Sequence, residues 1–359
     1  MRILIVTGSS GGHIFPSLAL AESLKNESHE LLLVLPKKSQ SNNIIIKSVA
    51  VKYIHSATLS FKLNSRNIVG FFWFLAGTWQ GLLIILKFKP DVVVGFGSLN
   101  TVALIFWAWL FRIKTIVHEQ NVIPGRANRL LAKLVDRVAI SFSQTSNYLN
   151  IADEKIVLTG NPVRNNLIKI DRKQAMDFFK FKEGKYNILI TGGSQGSVKL
   201  NSECLQALAV FKNKEKLQIV HIIGSGDLAL FKTKYEAANL DCRLFEFFSQ
   251  MQYAYSFADL IICRSGASTV AELIKFKIAA ILVPYPFAYA HQLANAKILK
   301  DIGAAEILLD ADLTFHKLND KLQTYFFNHE KLKKMQEAYQ KISILDATTN
   351  LANAVKTLK

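Results

Sequence analysis

Arg2-Ile3-Leu4-Ile5-Val6-Thr7-Gly8-Ser9-Ser10-Gly11-Gly12-His13 is the stretch that decides the fold. A five-residue β run ends in a glycine turn, and a helical pattern follows at Ile14, Leu18, Ala21 and Leu24. The same device returns about 180 residues later. There Tyr186-Asn187-Ile188-Leu189-Ile190 feeds Thr191-Gly192-Gly193-Ser194-Gln195-Gly196, followed by Leu200, Cys204, Leu205 and Leu208. A strand, a glycine turn and a helix start make an anion site, because the backbone can approach closely and the free N–H groups and helix dipole favour negative charge. Two copies predict two similar nucleotide-type domains with a ligand in the cleft between them.

Working outward, short apolar runs alternate with helical patterns. Strands are expected at Leu31–Leu35, Asp91–Val94, Thr115–Val117, Val138–Ile140 and Ile156–Leu158. A second set is expected at Gln218–Ile223, Arg243–Phe247, Leu260–Cys263 and Ala280–Val283. Near-continuous apolar runs of this length suit parallel sheets covered on both faces. The fold class is therefore α/β, doubly wound, twice over. Gly160-Asn161-Pro162-Val163-Arg164-Asn165-Asn166 is the best linker, and a charged helix (Asp171–Lys182) follows it. Thr348 to Lys359 reads as a short amphipathic helix. The length of 359 residues, half of them hydrophobic, suits two domains with substantial cores.

Cys204, Cys242 and Cys263 are the only cysteines. They show no metal spacing and suit a reducing compartment. The apolar start runs straight into the glycine loop, so no cleavable signal peptide is expected. The net charge is +17, and residues 1–150 hold 16 Lys/Arg against 6 Asp/Glu. Such a half seeks an anionic partner, unless the charge serves only solubility.

What lies between the charges bears on that choice. Asn67 to Leu86 has no charged residue, and Lys62, Arg66, Lys87 and Lys89 bracket it. Leu99 to Phe111 adds Phe106, Trp107, Trp109 and Phe111 and ends at Arg112 and Lys114. Trp and Phe beside Lys and Arg are a membrane-interface composition. A spanning helix needs about 20 apolar residues. The first stretch barely reaches that length and contains Gly70, Gly77, Thr78, Gln80 and Gly81. It reads as a helix pressed onto a membrane surface, ahead of an ordinary core helix and, last, a spanning helix.

Polar clusters follow six of the strands, where parallel sheets bind ligands. They are Ser10–His13, Gly95–Ser98, His118–Asn121, Ser194–Gly196, Arg264–Gly266 and Pro284–Gln292. A dinucleotide fits poorly. The first loop is not G-x-G-x-x-G, and the second strand ends in Pro36-Lys37-Lys38 with no acid for a ribose hydroxyl. There is no His/Cys cluster, and neither a metal site nor a cofactor is expected.

Taken in order, G-S-S-G-G-H-I-F-P-S-L-A-L-A (8–21), H-E-Q-N (118–121), G-N-P-V-R (160–164), G-G-S-Q-G (192–196), C-R-S-G-A-S-T-V-A-E (263–272) and P-Y-P-F-A-Y-A-H-Q-L-A-N-A (284–296) closely resemble the MurG family. These are the peptidoglycan N-acetylglucosaminyltransferases that act on lipid I. The resemblance implies two Rossmann-like domains facing across a cleft, the GT-B plan. Residues 1–162 would form the acceptor and membrane-facing domain, 163–342 the UDP-GlcNAc domain, and 343–359 a helix packing back on the first. It implies inverting transfer of GlcNAc from UDP-GlcNAc to lipid I at the cytoplasmic face of the plasma membrane. The implied partners are the anionic membrane surface and cell-wall synthesis proteins, and no nucleic acid.

The resemblance also carries site residues. His13 is implied as general base, with a turn-capping histidine as the other reading. Glu119 is implied to orient that base or to be the base; equally, it is a buried acid holding loop N–H groups. Ser10, Gly11 and Gly12 fall in the first loop, and Asn121 matches the position facing the donor sugar. Ser194 in the second loop and Ala267, Ser268, Thr269, Val270 and Ala271 at a second helix start match donor-diphosphate contacts. Glu272 matches the carboxylate on the ribose hydroxyls. Phe248 matches an apolar position against uracil, or is core. Arg164 matches a donor contact, or is a linker salt bridge. Gln292 and Asn295 resemble the clamp on the sugar hydroxyls.

The chain departs from the pattern at Gly97-Ser98-Leu99, where the family usually shows a glycine pair and Tyr near the acceptor diphosphate. Three alternatives follow: a transferase to another lipid such as diacylglycerol, a hydrolysing UDP-GlcNAc 2-epimerase, and a non-catalytic sugar-nucleotide-binding or membrane-docking subunit. The aromatic-basic stretches speak against the epimerase, and the intact His13, Glu119 and Gln292 set against the binding subunit.

Overall fold

Alternate residues of the first strand enter different cores, which is why its apolar run is continuous. Ile3 and Ile5 pack with Ile14, Leu18, Leu24, Leu351 and Val355. Leu4 and Val6 pack with Ile84, Ile85, Leu104 and Ile105. Side chains of a strand point to opposite faces in turn, so a sheet covered on both faces needs apolar residues at every position.

The computed structural model describes residues 1–25, 27–37, 49–56, 65–193, 195–287, 290–343 and 346–358, without the side chains of 65–68. The chain divides into two units, Met1–Arg164 with Leu345–Lys359, and Asn165–Ile344.

The first unit carries β1 (Arg2–Val6), β2 (Glu30–Pro36), β3 (Ala50–Ile54), β4 (Val92–Gly95), β5 (Lys114–Glu119), β6 (Arg137–Ile140) and β7 (Ile156–Leu158). They form one parallel sheet in the order β3-β2-β1-β4-β5-β6-β7. The second unit carries β8 (Tyr186–Thr191), β9 (Leu217–Ile222), β10 (Cys242–Phe245), β11 (Leu260–Cys263), β12 (Ala279–Leu282) and β13 (Ala305–Ile307). Its sheet is parallel in the order β10-β9-β8-β11-β12-β13. In each sheet the order reverses beside the first strand, between β1 and β4 and between β8 and β11. The glycine loops leave from those switch points, where open α/β sheets bind ligands.

The C-terminal helix Ala347–Lys356 belongs to the first unit. Asp346 caps its N-terminus, accepting from the Thr349 backbone N–H. At the other end Arg137 donates to the Ala354 carbonyl at 2.7 Å, and Lys356 pairs with Glu27 at 2.9 Å. Cations at a helix C-terminus satisfy its unpaired carbonyls and its dipole.

Two edge strands, β3 and β13, escape the sequence reading. β3 exposes most of its side chains and carries Lys52, so it lacks the apolar run. β13 is three residues long and holds Glu306, which pairs with Lys321 and Lys331.

The uncharged stretch forms the helix Ser65–Phe88, of which Val69–Phe88 is long and apolar enough to cross a membrane. Its glycines face the protein. A Cβ at Gly77 would collide with the His55 carbonyl oxygen at 2.2 Å, and one at Gly81 would press on Leu104 at 3.1 Å. Gln80 accepts from the His55 backbone N–H at 2.8 Å, and Trp73 stacks on the His55 ring at 4.2 Å. The helix Leu99–Leu110 packs beside it, and Trp107 Nε1 donates to the Thr78 carbonyl at 3.0 Å. Phe72, Leu75, Trp79, Leu83 and Leu86 form an exposed stripe at helical spacing, continued by Phe106, Trp109, Leu110 and Phe111.

Candidate active site

In the first unit the loop after β1 turns into the helix Gly11–Lys25, and His13 lies in its first turn. Ser10 Oγ lies 3.0 Å from His13 Nδ1. Two glycines make room for the ring: a Cβ at Gly8 would lie 2.6 Å from Nδ1, and one at Gly97 would lie 3.2 Å from Nε2. The imidazole is thus held between the loops after β1 and β4, with Nε2 turned to Gly97. The residue keeps partial solvent access. Desolvation nonetheless lowers its pKa from 6.5 to about 4, so the ring is neutral at pH 7. Gly11 and Gly12 precede it without side chains to block the loop.

The loop after β4 contains the departure from the family pattern. Gly97 has φ +84°, and Ser98 has φ 85° and ψ 167°. That region is essentially reserved for glycine and costs any other residue about 1–3 kcal/mol. The Ser98 hydroxyl is buried with no hydrogen-bond partner among the described residues.

Glu119, at the end of β5, is 1% exposed. Its Oε1 accepts from the Asn121 backbone N–H at 2.8 Å and from Asn121 Nδ2 at 3.2 Å. Its Oε2 accepts from the Gly125 backbone N–H at 3.0 Å and from Asn128 Nδ2 at 2.8 Å. These four donors tie the carboxylate to the 121–128 loop. His118, one residue before, donates from Nε2 to the Gly160 carbonyl at 3.0 Å. Its Nδ1 accepts from Gln120 Nε2 at 3.1 Å, and burial lowers its pKa to about 4. Arg164 lies with its guanidinium 4.6 Å from the centre of the Phe15 ring, a cation–π contact two residues from His13 in sequence.

In the second unit the loop after β8 is built on touching glycines. Gly193 and Gly196 have φ +86° and +74°. Gly196 forms an isolated bridge with Gly224, and a Cβ at either would strike the other's loop at under 2.5 Å. Ser194 lies outside the described residues. Ser197 caps the helix Val198–Ala209 and accepts from Arg264 Nη2 at 2.7 Å. Arg264 is itself buried and pairs with Asp310 at 2.6 Å.

The helix Ala267–Phe276 opens after β11 and carries Ala267, Ser268, Thr269, Val270, Ala271 and Glu272. The Ser268 Oγ is buried at that N-terminus, with no hydrogen-bond partner among the described residues. Glu272 is 8% exposed, and its Oε2 accepts from the Tyr255 hydroxyl at 2.5 Å. Gln292 Oε1 accepts from the backbone N–H groups of Tyr285 at 2.9 Å and Ser265 at 3.3 Å. Its oxygen therefore ties the loops after β11 and β12 together. Asn295 is buried and donates from Nδ2 to the Ser265 carbonyl at 3.3 Å. Phe248 sits in an aromatic cluster, 4.6 Å from the Phe245 ring and 5.6 Å from the Phe179 ring, with Phe247 exposed beside it.

Among the described residues no three His, Cys, Asp or Glu side chains stand close enough to hold a metal.

Two family models match: the Glycosyltransferase family 28 N-terminal domain over residues 3–140 and its C-terminal domain over 187–354. The crystal structure of Acinetobacter baumannii MurG superposes with a TM-score of 0.77 at 28% identity, covering 99% of this chain and 100% of that one. A UDP-N-acetylglucosamine--N-acetylmuramyl-(pentapeptide) pyrophosphoryl-undecaprenol N-acetylglucosamine transferase of Halothermothrix orenii is 34% identical, over 99% of this chain and 98% of its own length. The transferase of the same name from Coxiella burnetii is also 34% identical, over 95% and 96%. The chain belongs to the MurG family.

The GT-B class of the MurG family accounts for the paired switch-point loops in its two parallel sheets. The contacts of Tyr255 with Glu272, Gly224 with Gly196, Asn128 with Glu119 and Asp310 with Arg264 were not legible in the sequence. Each joins residues distant in sequence, and no local spacing announces it.

Proposed function

We propose that the protein transfers N-acetylglucosamine from UDP-N-acetylglucosamine to the muramoyl-pentapeptide diphosphoryl-undecaprenol, lipid I, with inversion. The product is lipid II, in the service of peptidoglycan synthesis and so of cell shape and division. The observation that carries this reading is 34% identity over 99% of the chain with an enzyme of that name, on a chain that presents a neutral, partly accessible histidine at its first switch-point loop.

His13 is the base. With Nδ1–H donated to Ser10 Oγ, Nε2 is left with its lone pair to take the proton of the acceptor hydroxyl as that oxygen attacks the anomeric carbon. Glu119 anchors the loop that carries Asn121 toward the donor sugar. UDP leaves from the opposite face. Its developing charge meets the glycine loop with Ser194, the N-terminus of the helix Ala267–Phe276 with Ser268 and Thr269, and Arg164. Glu272 accepts hydrogen bonds from the ribose hydroxyls. Phe248 borders the uracil. Gln292 has committed its oxygen to the backbone, so its NH2 is the end that would reach a sugar hydroxyl, with Asn295 bracing the loop behind it.

The acceptor's polyprenol stays in the bilayer, so the enzyme docks there. The exposed aromatic stripe, flanked by Lys87, Lys89, Arg112 and Lys114, is the surface we assign to peripheral binding at the anionic cytoplasmic leaflet.

Donor recognition is tested by calorimetry. Glu272→Ala should weaken UDP binding by about 1.5–3 kcal/mol, the range for a hydrogen bond to a charged group. Unchanged affinity would remove Glu272 from the site.

A further inference from the structure

A glutamate that must receive two ribose hydroxyls has three rotatable bonds to fix, at about 1.5–2 kcal/mol of rotamer entropy. Something has to hold it in the receiving rotamer, and the second unit contains a group that does so. Tyr255 lies on the helix Met251–Phe257, before β11, and Glu272 on the helix Ala267–Phe276, after it. The Tyr255 hydroxyl donates to Glu272 Oε2 at 2.5 Å, within the short range of a hydrogen bond to a carboxylate. Tyr255 is 3% exposed, and its ring packs 5.1 Å from the Phe276 ring, so the donor is fixed before any ligand arrives.

We propose that Tyr255 is a positioning residue for the sugar-nucleotide's ribose. Its phenol holds one oxygen of Glu272 and so sets the plane in which the carboxylate meets the two ribose hydroxyls. The proposal rests on the reading of Glu272 as the ribose acceptor. It adds a residue seventeen positions away in sequence that touches neither ribose nor phosphate. A phenol suits this role because it donates one hydrogen bond from a rigid ring. The device places the selection of ribose over deoxyribose in a pair of side chains rather than in Glu272 alone.

The test is a thermodynamic cycle in the full-length protein, with UDP and 2′,3′-dideoxy-UDP as the two ligands, read by calorimetry. Glu272→Gln reports on the underlying reading and Tyr255→Phe on the proposal. Tyr255→Phe should weaken UDP about tenfold and dideoxy-UDP by less than about twofold, because only the ligand with hydroxyls uses the carboxylate. In turnover it should raise KM for UDP-GlcNAc and leave kcat near its starting value.

If Glu272→Gln leaves the preference for UDP over dideoxy-UDP intact, the ribose assignment fails and the proposal goes with it. If Glu272→Gln erases the preference but Tyr255→Phe weakens both ligands equally, or neither, Tyr255 is a packing residue and the proposal alone is overturned. Should Tyr255→Phe not fold, 3-fluorotyrosine at position 255 reads the same contact. Its fluorine resonance should shift on adding UDP and stay nearly still on adding dideoxy-UDP. Equal shifts with both would overturn the proposal.

Discussion

Ser10 Oγ and His13 Nδ1 stand 3.0 Å apart in the first turn after β1, and this pair decides which ring nitrogen can act as a base. If Nδ1 donates to the serine, Nε2 is the acceptor, and it is the nitrogen turned toward Gly97. His13→Ala should leave UDP affinity near its starting value and cut turnover by about 10²–10⁴, the range for lost general-base catalysis. Ser10→Ala should cost turnover less, because water can replace the hydroxyl. Steady-state kinetics beside calorimetry check both, and a fully active His13→Ala would reduce the histidine to a turn cap.

Ser98 occupies backbone space that belongs to glycine. Ser98→Gly should therefore stabilise the protein by about 1–2 kcal/mol, offset in part by the added freedom of the unfolded chain. Urea unfolding reads this as a higher midpoint at unchanged slope. A lower midpoint would mean that the buried hydroxyl has a role that outweighs the strain.

Three histidines carry pKa values strongly lowered by desolvation: His13 and His118 at about 4 and His221 at about 3. Their neutral forms belong to the fold, while the unfolded chain protonates them near 6.5. Stability from this source is present above pH 6.5 and is lost as pH falls toward 4. The slope approaches about 1.4 kcal/mol per pH unit for each histidine. His221 donates from Nε2 to Asn201 at 3.2 Å and accepts from Tyr235 at 2.9 Å. His221→Gln should lower stability at pH 7 and flatten the acid slope by one proton. A slope unchanged by that substitution would place the lost stability in other groups.

The aromatic stripe gives a prediction about vesicles. Replacing Phe72, Trp79 and Trp109 with Ser should reduce flotation with anionic vesicles and activity on membrane-embedded acceptor, and spare UDP binding. High salt should weaken the wild-type binding, because surface basic residues each contribute about 1 kcal/mol through a screened attraction. Flotation with neutral and anionic vesicles alike at every salt concentration would remove the electrostatic part.

Both parallel sheets were legible because their central strands are buried on two faces and so are largely apolar, with internally paired exceptions such as Asn187, Gln218 and His221. β3 and β13 were not, since an edge strand needs no such run: one is mostly exposed, the other holds a paired glutamate. In the site, His13 and the glycine loops announce themselves by sequence position. A buried acid holding loop N–H groups was one of the two readings of Glu119, but which donors converge on it and on Gln292 was not readable. Four donors converge on the Glu119 carboxylate, and two backbone N–H groups converge on Gln292 Oε1. The glycines inside the helix Ser65–Phe88 looked like reasons against spanning. Two of them, Gly77 and Gly81, are the contact surface that seats the helix on the domain.

Product analysis tests the assigned reaction end to end. The protein is mixed with UDP-GlcNAc and lipid I in anionic vesicles, with diacylglycerol vesicles in parallel. The lipids and nucleotides are then analysed by mass and by the stereochemistry of the new linkage. Lipid I should gain one N-acetylhexosamine in β linkage, with one UDP released per sugar transferred and no product on diacylglycerol. Sugar on diacylglycerol, UDP released together with a free or epimerised sugar, or no reaction with lipid I at all would contradict the assignment.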